Sequence, residues 1–143
     1  MLSIAAETGL GANPGSPTAD QLTLNGGTLH TTATFSIDDT NRGITLGASG
    51  GTFSPNNGTT LTIASTNIIT GSGALTMFGA CGLTLNADNT YTGLTTVFAG
   101  TLTLNRAGGT IANTAAVTVA GGTLAVAQSD TVGAVTLLSG TIS

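Results

Sequence analysis

GSGALTMFGACGLTLNADNTYTGLTTVFAGTLTL, residues 71–104, is the stretch that decides the fold. Three segments in it, 75–77, 83–85 and 102–104, place a threonine between two apolar residues, and 95–97 lies between them with similar content. Successive side chains of a strand point to opposite sides, so each segment predicts a short strand with a buried apolar face and a threonine in water.

The same pattern recurs along the whole chain. A Gly-Thr dipeptide followed by an apolar residue, or a close variant, begins at six glycines: Gly27, Gly51, Gly73, Gly100, Gly122 and Gly140. The intervals average about 22 residues, which lies in the range of solenoid repeats. We expect these glycines to form the turns of the repeat, because glycine adopts positive φ at little steric cost.

The fixed period predicts the architecture. A sandwich would show the same alternation, but near-identical units at a constant spacing favour stacking of equivalent strands. The sequence therefore predicts an all-β parallel solenoid of about six rungs, with two or three strands in each and rungs ~4.8 Å apart. Its predicted core includes Leu83, Leu85, Val97, Leu102 and Leu104.

The chain is expected to form one solenoid domain over residues 1–143. Residues 1–20 are interpreted as a lead-in rung and 21–143 as Gly-Thr repeats. No charged or helical cap is evident in the sequence. Because an open rung exposes unpaired N–H and C=O groups, we expect self-association through the ends, as a homopolymer or as the continuation of a longer chain.

Composition excludes several classes of protein. Charged residues make up 6% of the chain, against roughly 25% in typical soluble domains, which argues against an ordinary helical globule. A hydrophobic content of 40% with a net charge of −4 argues against disorder. The two basic residues, Arg42 and Arg106, are too few for the phosphate contacts of a nucleic-acid-binding protein.

Membrane insertion of this segment is not expected. Thr, Ser, Asn and Gly interrupt every apolar run, so none approaches the ~20 residues of a spanning helix. The opening MLSIAAETGLG lacks a basic region and a sustained apolar core, so any export signal is expected outside this segment. The single cysteine, Cys81, excludes an internal disulfide and is interpreted as a small buried residue.

No catalytic, cofactor-binding or metal-binding residue is predicted. Asp38 and Asp39 are the one local carboxylate pair and are interpreted as a solvated turn, in which an exposed Asp38–Arg42 ion pair would contribute little. His30 is the only histidine and has no evident nucleophile or carboxylate partner. The glycine-rich stretch at 71–74 lacks the lysine and helix of a phosphate-binding loop.

A family resemblance rests on Asn89-Thr90-Tyr91-Thr92-Gly93, followed by residues 95–97 and 99–102. This segment resembles the autotransporter-associated β-strand repeat, also called the passenger-associated transport repeat. The match is best over 71–104 and extends over about 2–104. The resemblance implies a right-handed parallel β-helix in a passenger region that is exported to the cell surface, and it carries over no catalytic residue.

The chain departs from the family pattern at five positions: Met77, Phe78, Cys81, Leu94 and Phe98. These residues remove charge and add apolar bulk. The departures predict that the rung is covered by another chain or segment, or that its outer face is unusually adhesive.

We therefore expect a structural or adhesive module of a secreted or surface-exposed bacterial protein, which forms a fibre if its ends stack. The alternative is a carbohydrate-binding or carbohydrate-cleaving β-helix, with surface glycans as partners. For that alternative the aromatic residues would have to form a sugar-stacking shelf, whereas packing in the core or at corners is favoured for each: Phe35, Phe53, Phe78, Phe98 and Tyr91.

Overall fold

The computed structural model describes residues 1–107 and 109–143. Within these residues the chain forms fourteen strands and one short 3-10 helix, Glu7–Leu10. The strands are β1 Leu2–Ile4, β2 Thr18–Leu24, β3 Gly27–Thr31, β4 Phe35–Ile37, β5 Arg42–Leu46, β6 Gly51–Pro55, β7 Thr60–Ile63, β8 Ile69–Gly71, β9 Leu75–Met77, β10 Gly82–Leu85, β11 Thr95–Val97, β12 Thr101–Leu104, β13 Val117–Val126 and β14 Val135–Ile142.

The strands of successive coils stack into three faces. Face one contains β1, β3, β6, β9, β11 and the first halves of β13 and β14. Face two contains β4, β7, β10, β12 and the second halves of β13 and β14, while face three contains β2, β5 and β8. The described pairings are all parallel, which confirms the predicted all-β solenoid of about six turns and excludes an antiparallel sandwich.

The register between coils follows the sequence repeat. One inward column of face one runs through Leu2, Leu29, Phe53, Met77, Val97, Val119 and Leu137. The steps between these partners range from 27 residues at the start to 18 at the end, around an average of about 22. Stacking like residues in this way pairs the backbone groups of each coil with those of the next.

The coils become shorter along the rod because face three tapers. Its strands contain 7, 5 and 3 residues in β2, β5 and β8. In the next coil the chain still bonds across this face, since Thr90 N donates to Ile69 O at 2.9 Å and Thr92 N to Gly71 O at 3.0 Å. By contrast, β13 runs for ten residues around the corner between faces one and two, with register shifts between Val119 and Thr123.

The interior is a narrow apolar column. Leu83, Leu85, Val97 and Leu102 are fully buried and Leu104 is 1% exposed. Leu83 stacks between Leu61 of the previous coil and Leu102 of the next. Each such residue is enclosed by its own coil and by both neighbours, so the burial of one coil depends on the coils beside it.

The glycines predicted as turns lie at the corners, but the positive φ often belongs to their neighbour. Gly100 and Gly140 themselves have φ of 71° and 97°. Three others lie inside strands, directly after the positive-φ glycine: Gly27 after Gly26, Gly51 after Gly50, and Gly122 after Gly121.

Gly73 has a different role at the corner between faces three and one. A Cβ on Gly73 would collide with the carbonyl oxygen of Gly47 in the previous coil, and one on Gly93 would collide with the carbonyl oxygen of Gly73. Glycine is needed at Gly73 because two backbone segments meet there without room for a side chain.

Thr31 carries an unpaired hydroxyl in the interior, and we expect Thr31→Val to stabilise the fold by about 1 kcal/mol. Its Oγ1 is the buried side-chain oxygen that lacks a hydrogen-bond partner among the described residues. Valine keeps the shape of threonine and removes the desolvated hydroxyl. Urea unfolding measures this change, with Thr28→Val at a half-exposed position on the same strand as the control. An unfolding midpoint of Thr31→Val equal to or lower than that of the parent chain would contradict the prediction.

Candidate functional site

The outer side of face one carries a column of six threonines in register, here called the threonine ladder: Thr28, Thr52, Thr76, Thr96, Thr118 and Thr136. Its members are half-buried except the last, which is exposed. On face three, Thr45 and Thr70 bond to each other at 3.1 Å, but no hydrogen bond of this kind joins ladder hydroxyls within the described residues. The ladder therefore presents hydroxyls to solvent at ~4.8 Å intervals.

A second outward column lies beside the threonine ladder and ends in two aromatic rings. It begins with Ser3, His30 and Ser54, which are register partners. Phe78 and Phe98 continue it, and their ring centroids are 6.5 Å apart with the planes inclined at 63°. These rings, here called the aromatic pair, are 58% and 48% exposed.

The departures from the family pattern thus have different consequences. Met77 is fully buried in the core. Phe78, Phe98 and Leu94 place apolar surface in solvent, Leu94 being 44% exposed. Of the two expected positions, in the core or at corners, the core is excluded for Phe78 and Phe98, because both follow an inward residue and strand alternation turns them outward.

The other aromatic residues are part of the packing. Phe53 and Tyr91 are fully buried and Phe35 is half-buried. The Tyr91 hydroxyl lies 2.7 Å from Thr95 Oγ1, and burial raises the pKa of the Tyr91 phenol far above its ordinary value. Tyr91 is therefore a neutral core residue and is inaccessible to a ligand.

Face two also presents hydroxyls, but its array is interrupted. Gly82 occupies an outward position between Thr60 and Thr101 and leaves a depression of about 380 Å³. Cys81 borders this depression, is 7% exposed, and directs its Sγ at the carbonyl oxygen of Gly79 at 3.2 Å. Burial raises the pKa of the Cys81 thiol, so the protonated and less nucleophilic form is favoured at neutral pH.

A buried polar column, at the corner between faces two and three, connects successive coils. Asn89 accepts a hydrogen bond from Ile69 N at 2.8 Å and donates to Thr110 O at 2.6 Å, so it joins three coils. Asn67 donates to the carbonyl oxygens of Asp39 and Arg42 at 2.7 and 2.8 Å. These amides satisfy backbone groups that the tapering of face three leaves without strand partners.

Arg42 lies in the same corner column and is 1% exposed. Its Nε donates to Glu7 Oε1 at 3.0 Å, and its remaining donors reach the carbonyl oxygens of Leu10 and Gly11 at 3.3 and 3.1 Å and Asn13 Oδ1 at 3.3 Å. We call residues 7–13 with Arg42 the arginine clasp. These bonds pair the charge and the N–H donors of Arg42, and they hold the first coil against the second.

Asp38 is therefore not the carboxylate partner of Arg42. Arg42 pairs with Glu7, while the backbone N–H groups of Asp38 and Asp39 donate to the Glu7 carboxylate at 3.2 and 3.3 Å. The sequence reasoning also missed the charged and 3-10 helical structure of the first coil. Glu7 and Arg42 are 35 residues apart, and no local motif indicates that they meet.

The residues considered for chemistry are not brought together. His30 Nδ1 lies 3.0 Å from Ser3 Oγ on the outer side of face one. In the part of the chain that the structure describes, no cluster of three or more His, Cys, Asp or Glu is arranged to hold a metal ion. Among the same residues, no helix has the length and apolar character to cross a membrane.

The chain is similar to a curated adhesin. It is 42% identical over 112 residues to the adhesin BmaC autotransporter of Brucella suis biovar 1 (strain 1330), a match that covers 77% of this chain. The chain spans 3% of the length of that relative. No family model matches the sequence, and no solved structure matches it.

The sequence similarity and the structure agree with each other. The relative is an autotransporter, and the chain forms the parallel coil stack that the Asn89–Gly93 motif implied. The resemblance to the autotransporter repeat is thereby confirmed: the chain is a parallel β-solenoid that is similar, over 77% of its length, to an autotransporter adhesin.

Proposed function

We propose that this chain is a structural and adhesive module of a secreted or surface-exposed bacterial protein. The observation that carries the proposal is its similarity to an autotransporter adhesin over 77% of its length. A stack of coils joined by backbone hydrogen bonds suits a stiff spacer that holds a surface away from the cell. Location outside the bacterium follows from the same similarity, because autotransporter passengers are exported.

The outer surface supports an adhesive role. The threonine ladder and the aromatic pair form an uncharged surface with exposed apolar rings. Contiguous exposed apolar patches on a protein surface mark interaction sites. This surface is built into the regular part of the solenoid, so repeating coils can present it along a rod.

Three of the six acidic residues are engaged in structural contacts, which supports a role without catalysis. Glu7 binds Arg42, Asp88 pairs with Arg106, and Asp130 Oδ2 accepts a hydrogen bond from Thr110 N at 3.0 Å. A glycosidase needs two carboxylates facing each other across the scissile bond. With these carboxylates used in structural contacts, sugar cleavage is not the function we propose.

We also propose that the β14 edge stacks on a further coil. Val135, Leu137 and Ile142 continue the buried columns of Val117, Val119 and Leu124, yet they are 46%, 52% and 42% exposed. An apolar column and an unpaired strand edge are what a following coil covers elsewhere in this rod. The covering coil belongs to the same kind of solenoid, either in a longer chain or in a second copy.

Attachment of coated beads tests the adhesive function. Beads carrying the purified chain should attach to epithelial monolayers several-fold more than beads carrying albumin, because the exposed apolar and hydroxyl surface is available for contact. Attachment at the albumin level would contradict adhesion, and release of reducing sugars from polysaccharides would contradict a role without catalysis.

Size-exclusion chromatography with light scattering and electron microscopy test stacking. We expect elongated particles whose mass rises with concentration. The control is Leu137→Lys, which places charge on the exposed β14 edge and should reduce the mass to that of one chain. Discrete monomers of the parent chain at high concentration would contradict stacking between copies.

A further inference from the structure

On face one, hydroxyl groups of the threonine ladder lie next to the rings of the aromatic pair. Thr76 and Phe78 lie on β9 and just after it, and Thr96 and Phe98 occupy the equivalent positions one coil later. Residues two apart on a strand point to the same side, about 6.6 Å from each other. Each of these coils therefore presents a hydroxyl and an exposed aromatic ring side by side.

The charge of the surroundings restricts the partner. Between Gly43 and Ser129 the ionisable side chains are those of Cys81, Asp88, Tyr91 and Arg106, and none of them belongs to the two outward columns. His30 is the only ionisable residue in these columns. An acidic polymer would find no cations to bind here, and a basic partner would find no carboxylates. The complementary ligand is uncharged.

The dimensions of the strip argue against a second copy of the chain as its occupant. The six threonines are separated by five steps of ~4.8 Å, which give a length of about 24 Å, and two side-chain columns give a width on the order of 10 Å. The resulting area is on the order of 250 Å², whereas a stable protein interface buries about 800 Å² on each partner. A single extended polymer chain fits a surface that is long and narrow.

We propose that the threonine ladder and the aromatic pair together bind an extended, uncharged β-1,4-linked polysaccharide that lies along the rod axis. This inference rests on the proposed adhesive function and names the chemical class of its ligand. The sugar units of such a chain have apolar C–H faces and equatorial hydroxyls at their edges. The apolar faces pack on Phe78 and Phe98, and the edge hydroxyls exchange hydrogen bonds with Thr76 and Thr96.

The ladder hydroxyls suit this role because none of them has a protein hydrogen-bond partner among residues 1–107 and 109–143. A hydroxyl donates one hydrogen bond and accepts others, so it matches a sugar hydroxyl whichever way that group is oriented. Neighbouring ladder positions repeat the contact from coil to coil. Binding by such a strip is expected to persist at high salt, since no ion pair contributes to it.

Affinity electrophoresis tests the proposal with native gels containing hydroxyethylcellulose as the uncharged probe and polygalacturonate as the anionic one. The parent chain should be retarded by hydroxyethylcellulose alone. Phe78→Ser combined with Phe98→Ser should weaken the apparent affinity at least tenfold, and Thr76→Val with Thr96→Val should weaken it several-fold. The matched control, Thr84→Val with Thr103→Val, alters face two and should bind like the parent.

Circular dichroism spectra of all variants establish that they are folded. Absence of retardation by hydroxyethylcellulose, equal retardation by polygalacturonate, or parent-level binding by the double phenylalanine variant would each overturn the proposal. Bead attachment separates the two hypotheses. Attachment of beads without retardation in the gel supports the adhesive function and refutes polysaccharide binding. Retardation without attachment refutes adhesion to cells and supports polysaccharide binding.

Discussion

Leu83→Asp is expected to abolish cooperative folding of the solenoid. Leu83 is fully buried and stacks between Leu61 and Leu102, so the carboxylate would lie inside a column that offers it no cation. Removing the leucine side chain alone, as in Leu83→Ala, should cost about 2–5 kcal/mol. An unpaired buried charge adds several kcal/mol more, and together these losses match the whole stability of a typical domain.

Far-UV circular dichroism and urea unfolding measure this effect. The matched control is Thr84→Asp, which introduces the same charge one residue later on the outer side of face two. We expect Thr84→Asp to retain the β spectrum and a cooperative transition close to that of the parent. A Leu83→Asp variant that unfolds like the parent would mean that Leu83 does not lie in the core.

The architecture was predictable because each coil repeats the same alternation of apolar residues and threonine. Alternation assigns Leu83 and Leu102 to the inner side and their neighbouring threonines to the outer side, and the period places equivalent residues above one another. The same alternation, applied strictly, also places Phe78 and Phe98 outside. The interpretation that favoured packing in the core or at corners for each ring overlooked this exposure. The departures from the family pattern at these two positions had nevertheless indicated an apolar outer surface.

The polar column and the arginine clasp were not predictable in this way. Asn89 belongs to the family-like motif, but nothing in the motif says that its amide joins three coils. Arg42 in a chain with so few charges reads as a solvent-exposed residue, because buried arginine is rare unless it is paired. Its partners lie 29–35 residues away in a segment without regular repeats, so only the path of the first coil brings them together.

The arginine clasp gives the second large expected effect. Arg42→Met should lower the free energy of unfolding by about 3–5 kcal/mol, because it removes the positive charge that pairs with the Glu7 carboxylate and the donors that bond several carbonyl oxygens in a buried setting. Glu7 is itself largely buried, with 13% of its side chain exposed. Combining Arg42→Met with Glu7→Leu should recover part of the loss, since replacing both charges removes the uncompensated one.

Arg106 provides the matched control for the clasp. Its ion pair with Asp88 joins side chains that are 40% and 57% exposed, so Arg106→Met should cost less than about 1 kcal/mol. Urea unfolding of the three variants gives the ranking. Limited proteolysis reports on the clasp itself, because release of residues 7–13 should speed cleavage there when Arg42 is replaced and not when Arg106 is replaced. If Arg42→Met and Arg106→Met lower the unfolding midpoint equally, the first coil is not held by Arg42. Docking of the first coil would then have to depend on the strand pairings of β1 and β2 and on the apolar contacts of Ile4 and Leu10.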